Sequence, residues 1–282
     1  MSAGAILAGA LLAKPVHLLL GVLGSVEFHK TISAVTVICG LLASFVYLRV
    51  TGRVDLSAAG LAGESKEWKA HLPAAVIAGI ALIVLLESCL LLLGVHELEQ
   101  DQGITRYSII HVLARALLAG LFVAFIEETL FRGALFSALE RQGGTVAALV
   151  FSSALYAAAH YIKVPPVAGP IGWITGLAVV PASFYRFSDP AITDGFVSLF
   201  LLGILLGVMR LRCGNIIQCI GFHAGLVAAL TLSGYLTDPV PGGRFEFLVN
   251  RYDPPLGWFS AGWLVLTLFA YQLFTLRRTS AG

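Results

Sequence analysis

The sequence predicts an all-α membrane protein, a polytopic transmembrane helical bundle of about eight spans. Hydrophobic residues make up 58% of the chain and charged residues only 12%, whereas about a quarter of the residues in a soluble domain are charged. Several apolar runs are long enough to cross a bilayer as helices. Their polarity does not alternate along the chain, as it would in the strands of a membrane barrel. These observations favour helical spans in a lipid bilayer.

The first predicted span, residues 5–24, is apolar except for a few residues near its middle, among them Lys14 and His17. No clearly basic segment precedes it, so we interpret it as a spanning or half-buried helix and not as a cleavable signal. Pro73 opens the third span, because proline is favoured in the first turn of a helix. Gly143 and Gly144 separate the fourth span from the fifth. The spans after the first are predicted over 31–48, 73–95, 109–139, 145–162, 195–211, 215–236 and 256–276.

The segments between the spans differ in character. Residues 163–193 contain five prolines, which argue against one continuous helix. An interfacial or re-entrant segment buried against protein fits this stretch. Residues 96–106 are predicted to form a mostly acidic loop, and residues 237–255 a turn-rich loop.

The distribution of lysine and arginine predicts the orientation, because cytoplasmic loops are rich in these residues. When the basic loop 49–69 is placed in the cytoplasm, the basic residues that end later spans fall on the same side: Arg141, Arg210, Arg212, Arg277 and Arg278. The acidic loop then lies outside. We therefore expect a multi-pass protein of the plasma (inner) membrane of a prokaryote, with both termini cytoplasmic.

Charge and cysteine content exclude other classes. The net charge of +2 is too small to indicate a nucleic-acid partner. The four cysteines have no paired spacing and mostly fall inside apolar runs, where cysteine is a small buried hydrophobe.

Two carboxylates and an arginine interrupt the fourth span: Glu127, Glu128 and Arg132. Charges at membrane depth are costly, and they usually face the interior of a bundle or a wet cavity. On a helix Glu128 and Arg132 are four residues apart, so they share a face and can pair. Glu127 points about 100° away. The spacing therefore predicts one neutralised glutamate and one that is free for chemistry.

Two histidines are candidates to share a site with Glu127. His160 lies near the end of the fifth span, with Tyr156 one turn before it, and His223 lies in the seventh span among small residues that allow close helix packing. Either histidine alone is equally well explained as a buried side chain bonded to a carbonyl. A glutamate beside two histidines can activate water directly as a general base or through a bound metal ion such as zinc. Glu87, in the third span, is interpreted as a structural partner of a neighbouring helix, with a second functional carboxylate as the alternative.

These residues resemble the CPBP family, the CAAX prenyl endopeptidase and bacteriocin-processing group of intramembrane proteases. The family pattern is EExxxR, FxxxH and HxxxN or HxxxD on separate helices of a bundle. Here it corresponds to Glu127-Glu128 with Arg132, to Tyr156 with His160, and to His223. The similarity covers residues 109–231 and divides the chain into N-terminal helices and polar loop (1–108), a CPBP-like catalytic core (109–236), and a loop with the last helix (237–282).

The resemblance implies a role for each matched residue. Glu127 would activate water with help from His160, Glu128 would hold Arg132, and His223 would polarise the scissile carbonyl or stabilise its oxyanion. Glu127, His160 and His223 are the alternative metal ligands, because members of the family are described both as metalloproteases and as glutamic proteases. We favour the glutamic mechanism, which needs no cofactor, because neither histidine lies in an HExxH-type pair.

Two positions depart from the family pattern. Tyr156 replaces phenylalanine, and Val227 stands where the family has asparagine. Valine cannot donate a hydrogen bond to an oxyanion, and the loss of one such donor costs about a hundredfold or more in rate. Another donor must substitute, with Tyr156, Ser152 and Ser153 as candidates, or the protein is slow or inactive.

The sequence therefore predicts an intramembrane endopeptidase that cleaves a membrane-associated protein or peptide. The family's substrates include prenylated CAAX tails, and the family also acts in peptide maturation, self-immunity and sorting-signal processing. Two alternatives are a non-catalytic membrane scaffold or immunity protein, which Val227 would favour, and an ion-coupled transporter, in which the same residues would relay protons. The lack of an evident inverted repeat counts against the transporter.

Overall fold

The computed structural model describes residues 2–22, 27–50, 60–61, 65–100, 103–167 and 169–279. It confirms the all-α membrane class. The helices, in chain order, are α1 Ser2–Gly21, α2 Phe28–Val50, α3 Ser65–Leu92, α4 Arg106–Glu128, α5 Phe136–Tyr161, α6 Thr175–Ala182, α7 Thr193–Cys213, α8 Ile217–Leu236 and α9 Trp258–Thr279. Two three-residue strands, β1 His96–Leu98 and β2 Thr237–Pro239, pair antiparallel.

Among the described residues, four helical stretches are long and apolar enough to cross a membrane: Trp68–Leu92, Arg106–Tyr161, Pro190–Cys213 and Ile217–Leu236. Two shorter apolar helices, Ile6–Gly21 and Trp258–Leu273, accompany them. Many large apolar side chains on these helices are exposed, as expected of surfaces in contact with lipid. The count of eight spans and the orientation stay predictions.

Contacts divide the chain into two compact units, which are described separately. The first comprises Met1–Asp55 and Ala158–Pro190, and the second comprises Leu56–Ala157 and Ala191–Gly282. Helix α5 begins in the second unit and ends in the first. The division into three consecutive segments made from the sequence stays a prediction about function.

In the first unit, the proline-rich stretch packs against α1. Gly176 of α6 lies directly on the backbone of Ala10, where a side chain would not fit. The Lys14 ammonium donates a hydrogen bond of 2.6 Å to the carbonyl of Ile171. The stretch is thus a short helix with irregular flanks held against protein, which agrees with the expected broken segment and satisfies part of its backbone.

In the second unit, α8 packs closely against both α3 and α4. Gly221 and Gly225 are four residues apart and lie on the α3 backbone, while Gly120 of α4 lies 2.9 Å, measured from an ideal Cβ position, from the carbonyl oxygen of Ala224. Glycines at this spacing let two helix backbones meet. The face of α8 that carries Gly221 and Gly225 packs on α3, and another buried face of α8 packs on α4.

Two local predictions were wrong or incomplete, and a third was confirmed. Helix α3 begins at Ser65, so Pro73 lies inside it and not in its first turn; the polar residues before Pro73 continue the helix despite the hydrogen bond that proline removes. The acidic loop contains β1, whose partner β2 is remote in sequence. The break at Gly144 is confirmed as a kink, with φ +79° and ψ 176°.

Candidate active site

The acidic motif lies at a change of helix type. Helix α4 is followed without interruption by a π-helical segment, Thr129–Leu135, and then by α5. Glu127 and Glu128 end α4, and Arg132 lies inside the π-helical segment. Short π-helical insertions are frequent at functional sites because they change which side chains share a face. The sequence did not predict this segment.

Glu128 and Arg132 form the predicted ion pair. Arg132 Nη1 donates to Glu128 Oε1 at 3.1 Å, and the side chains of Arg132 and Glu128 are 1% and 0% exposed. Arg132 Nη2 also donates to the carbonyl of Gly203 on α7 at 3.4 Å. A charged pair at this depth persists only when each charge has partners. The i, i+4 spacing therefore predicted a contact that the structure confirms.

His223 joins this pair from α8. Its Nδ1 donates to Glu128 Oε1 at 2.8 Å, and its side chain is 6% exposed. Because a carboxylate only accepts hydrogen bonds, Nδ1 of this ring carries a proton. Nε2 is then directed elsewhere, and its closest carboxylate oxygen is Oε2 of Glu127 at 3.9 Å. Glu128 thus fixes the position and orientation of the His223 ring.

Glu127 occupies a different environment from Glu128. Its side chain is 28% exposed, whereas that of Glu128 is fully buried. Glu127 Oε2 is turned inward and has no hydrogen-bond partner among the described residues. The carboxylate therefore lies at the boundary between the buried Arg132–Glu128–His223 cluster and accessible space.

Tyr156 completes the wall of the cluster. The Arg132 guanidinium lies 4.2 Å from the centre of its ring, and the ring meets His223 edge-on with centroids 6.2 Å apart. Guanidinium groups are stabilised over an aromatic face. An aromatic residue at this position thus supports Arg132, which is a role that phenylalanine would also perform.

The other candidate donors are deeply buried. Ser152 and Ser153 are 2% and 1% exposed. Ser153 lies beside Gly203, whose missing side chain leaves room for it, with Ser153 Oγ 2.9 Å from an ideal Gly203 Cβ position. Ser153 Oγ has no hydrogen-bond partner among the described residues. Tyr156, Ser152 and Ser153 stay predictions as oxyanion donors.

Val227 packs against α4. It lies one turn beyond His223 on α8, and its side chain is 3.2 Å from an ideal Cβ position on Gly120. The position where the family has asparagine is thus part of an apolar helix contact here. His160 lies in the last turn of α5, in the first unit of the chain, and its catalytic role stays a prediction.

The residues present do not fit a three-ligand metal site. Glu127 Oε2 and His223 Nε2 are 3.9 Å apart, but no group of three or more His, Cys, Asp or Glu side chains is placed to hold one ion in the part of the chain that the structure describes. Structural and catalytic zinc sites use at least three protein ligands. We therefore derive no catalytic step through a metal.

Sequence reasoning missed the contribution of Gly203. Its carbonyl receives Arg132, and its lack of a side chain brings α7 against Ser153 on α5. Gly207, four residues later, lies against Leu149 in the same way. The Gly203-x-x-x-Gly207 spacing was the available signal, since small residues four apart mark close helix contacts.

A comparison with known protein families matched the region of the chain that contains these residues. Residues 109–229 match the family described as "Type II CAAX prenyl endopeptidase Rce1-like". No curated protein and no solved structure matches the chain. The matched region includes both glutamates, Arg132, Tyr156 and both histidines. Over residues 109–229 the chain is thus similar to CAAX-type endopeptidases, which supports the resemblance to the CPBP family.

Proposed function

We propose that this protein hydrolyses a peptide bond of a membrane-associated protein or peptide, with Glu127 as the base that activates water. The observation that supports this most directly is the contrast between two adjacent carboxylates. Glu128 is buried and bonded to Arg132 and His223, whereas Glu127 is 28% exposed and faces His223 Nε2. One carboxylate is thus committed to structure and its neighbour is available to a reactant.

The proposed reaction begins with a proton transfer. The Glu127 carboxylate takes a proton from water, and the oxygen of the water forms a bond to the carbonyl carbon of the scissile peptide. The π electrons of the carbonyl move to its oxygen, which becomes an oxyanion. When the tetrahedral intermediate collapses, the carbon–nitrogen bond breaks and protonated Glu127 returns the proton to the leaving amine.

His223 is proposed to stabilise the oxyanion. Its Nδ1–H is bonded to Glu128, which orients the ring so that Nε2 lies 3.9 Å from Glu127 Oε2. In this scheme Nε2 also carries a proton and donates a hydrogen bond to the oxyanion. A fixed donor at the developing charge is worth about a hundredfold or more in rate. Glu128 and Arg132 are positioning residues in this scheme. His160 is proposed to assist Glu127, a role taken from the family resemblance.

The substrate must reach a site inside the bilayer. Glu127 lies within the apolar stretch Arg106–Tyr161, so we expect entry between helices or from the cytoplasmic face. Prenylated CAAX tails, sorting signals and maturing peptides are the candidate substrates. We further propose a prokaryotic plasma membrane location with both termini in the cytoplasm, from the distribution of basic residues.

The test is cleavage of a panel of membrane peptides, one of them a farnesylated CAAX peptide, by the purified protein in lipid. Glu127→Gln keeps the shape of the side chain but removes the base, so we expect a loss of about a hundredfold or more in rate with unchanged thermal stability. Chelator should not change the rate of the native protein. Loss of activity with chelator and its recovery with zinc would contradict the glutamic mechanism and indicate a metal-dependent one.

One observation favours a second candidate, a non-catalytic membrane scaffold or immunity protein. Val227 fills the position of an oxyanion donor and packs on Gly120. If Glu127→Gln leaves the phenotype of the cell unchanged and no peptide is cleaved, this second function holds and the catalytic proposal fails.

A further inference from the structure

The outer face of α4 contains an arginine at membrane depth. The residues of α4 that are buried, Ala116, Gly120, Ala124 and Glu128, repeat every four positions and define its inner face. At 100° per residue, Arg115 lies roughly opposite that face. The side chain of Arg115 is exposed, so it points away from the active-site residues.

Arg115 has no counter-charge in the part of the chain that the structure describes. Within the described ranges, no carboxylate forms an ion pair with it and no hydrogen bond to its guanidinium is present. An unpaired arginine in hydrocarbon costs a few kcal/mol or more, and this cost is reduced when the side chain reaches the polar boundary of the bilayer. The ligand that can neutralise Arg115 must therefore come from outside the described chain.

The residues on either side of Arg115 indicate what that ligand is. Toward the N-terminus, on the same face, Tyr107 is 79% exposed and stacks on His111 with ring centroids 6.1 Å apart. Toward the C-terminus the face becomes apolar, with Leu118 and Phe122 at 70% and 68% exposed. Amphipathic aromatic residues lie at the headgroup level and aliphatic residues below it. Arg115 lies at the boundary between the headgroup region and the hydrocarbon core.

This boundary agrees with the length of the helix. A hydrocarbon core of about 30 Å takes about 20 helical residues, so a core that begins near Arg115 ends near Leu135, the last residue of the π-helical segment. The next charged residues, Glu140 and Arg141, lie beyond it. Glu127 is twelve positions from Arg115, which places it about 18 Å below this boundary along the helix.

We propose that Arg115 binds the phosphate of an anionic phospholipid, with Tyr107 and His111 beside the headgroup and Leu118 and Phe122 against the acyl chains. Guanidinium and phosphate form bidentate hydrogen bonds, and the positive charge favours a headgroup of net negative charge. The site lies on the side of α4 opposite to Glu128, so it is independent of the catalytic proposal. Its role is to fix the depth of α4, and therefore of Glu127, in the bilayer.

The experiment measures lipid retained by the full-length protein in native mass spectrometry, from micelles with equal amounts of phosphatidylglycerol and phosphatidylcholine. We expect the native protein to retain more phosphatidylglycerol. Arg115→Gln should weaken that binding about fivefold, the effect of removing one basic residue near an anionic surface. Arg115→Lys should keep most of it. Arg251→Gln, a change at an exposed arginine in the loop after β2, is the matched control and should bind as the native protein does.

Several results would overturn the proposal. One is equal retention of phosphatidylglycerol by Arg115→Gln and the native protein, and another is equal retention of the two lipids by the native protein. Displacement of the bound lipid by inorganic phosphate would assign the site to a free anion. A change in oligomeric mass with Arg115→Gln, without a change in lipid binding, would assign this face to a second copy of the chain. If Arg115→Gln does not fold, Arg115→Lys and the lipid preference of the native protein still decide the outcome.

Discussion

Among its described residues, the second unit has two buried glutamate–histidine pairs, one toward each end of α8. At the first, His223 Nδ1 donates to Glu128 Oε1 at 2.8 Å. At the second, His96 Nδ1 of β1 donates to Glu87 Oε1 of α3 at 2.6 Å. Thr237 is the first residue after α8, and its Oγ1 donates to the same Glu87 oxygen at 2.9 Å. Thr237 is fourteen residues beyond His223, so the pairs are about 20 Å apart along the helix axis.

The two pairs differ in what surrounds them. Glu128 has an arginine as a second partner and a partly exposed carboxylate, Glu127, as its neighbour. Glu87 has the hydroxyl of Thr237 in place of an arginine, and its side chain is only 10% exposed. A glutamate–histidine pair is therefore not by itself a sign of catalysis. It becomes a candidate site where a second carboxylate is accessible. The interpretation of Glu87 as a structural residue agrees with its contacts, which join α3, β1 and the end of α8.

The largest expected difference between the two glutamate–histidine pairs is in their contribution to the free energy of unfolding. Glu128→Ala leaves Arg132 buried without its carboxylate, which should cost about 3–5 kcal/mol of unfolding free energy. Glu87→Ala should cost less, about 1–3 kcal/mol, because it leaves a histidine and a hydroxyl without a partner but no buried arginine. Denaturation in mixed micelles measures both. Equal losses would show that the arginine does not distinguish the two pairs.

The next effect is on rate and tests the position one turn beyond His223. Val227→Asn should place a donor next to His223 and raise the rate of peptide cleavage by up to about a hundredfold, the value of one oxyanion donor. Val227→Ala removes the same apolar contact with Gly120 but adds no donor, so it should not raise the rate. An equal rate for the two variants would show that the carbonyl oxygen of the substrate does not lie on this side of His223.

A smaller effect tests the packing of α8, on which both pairs depend. An alanine at Gly221 would bring its Cβ within 2.9 Å of Ala75 Cβ and against the Leu72 carbonyl. Overpacking of this kind costs about 1–3 kcal/mol. Gly234→Ala, on the same helix with open space around it, should be neutral or slightly stabilising. If Gly221→Ala behaves like Gly234→Ala in thermal denaturation, α3 and α8 are not in backbone contact.

The smallest effect isolates the second pair. Thr237→Val keeps the shape of the side chain and removes one hydrogen bond to Glu87, which should cost about 1 kcal/mol. The rate of peptide cleavage per folded molecule should not change. A fall in that rate would mean that the pair of Glu87 and His96 contributes to the reaction, and the distinction between the two regions would then fail.

The sequence alone determined the membrane class, most helix positions and the pairing of Glu128 with Arg132. It also indicated Glu127, His160 and His223 as candidates and the kink at Gly144. These features depend on local spacing or on composition. Apolar length predicts a span, and residues four apart on a helix meet whatever the rest of the chain does. The order of the motifs along the chain indicated the resemblance to the CPBP family.

Only the tertiary structure decided which partners the histidines and carboxylates have. His223 and Glu128 are 95 residues apart, and Glu87 and Thr237 are 150 apart, so no local pattern records their contacts. The π-helical segment, the β1–β2 pair and the extension of α3 before Pro73 were also decided there. In each case contacts with distant parts of the same chain outweigh weak local preferences. The different environments of Glu127 and Glu128, on which the proposed function depends, arise because α8 lies close enough to α4 to bury one carboxylate and leave the other partly exposed.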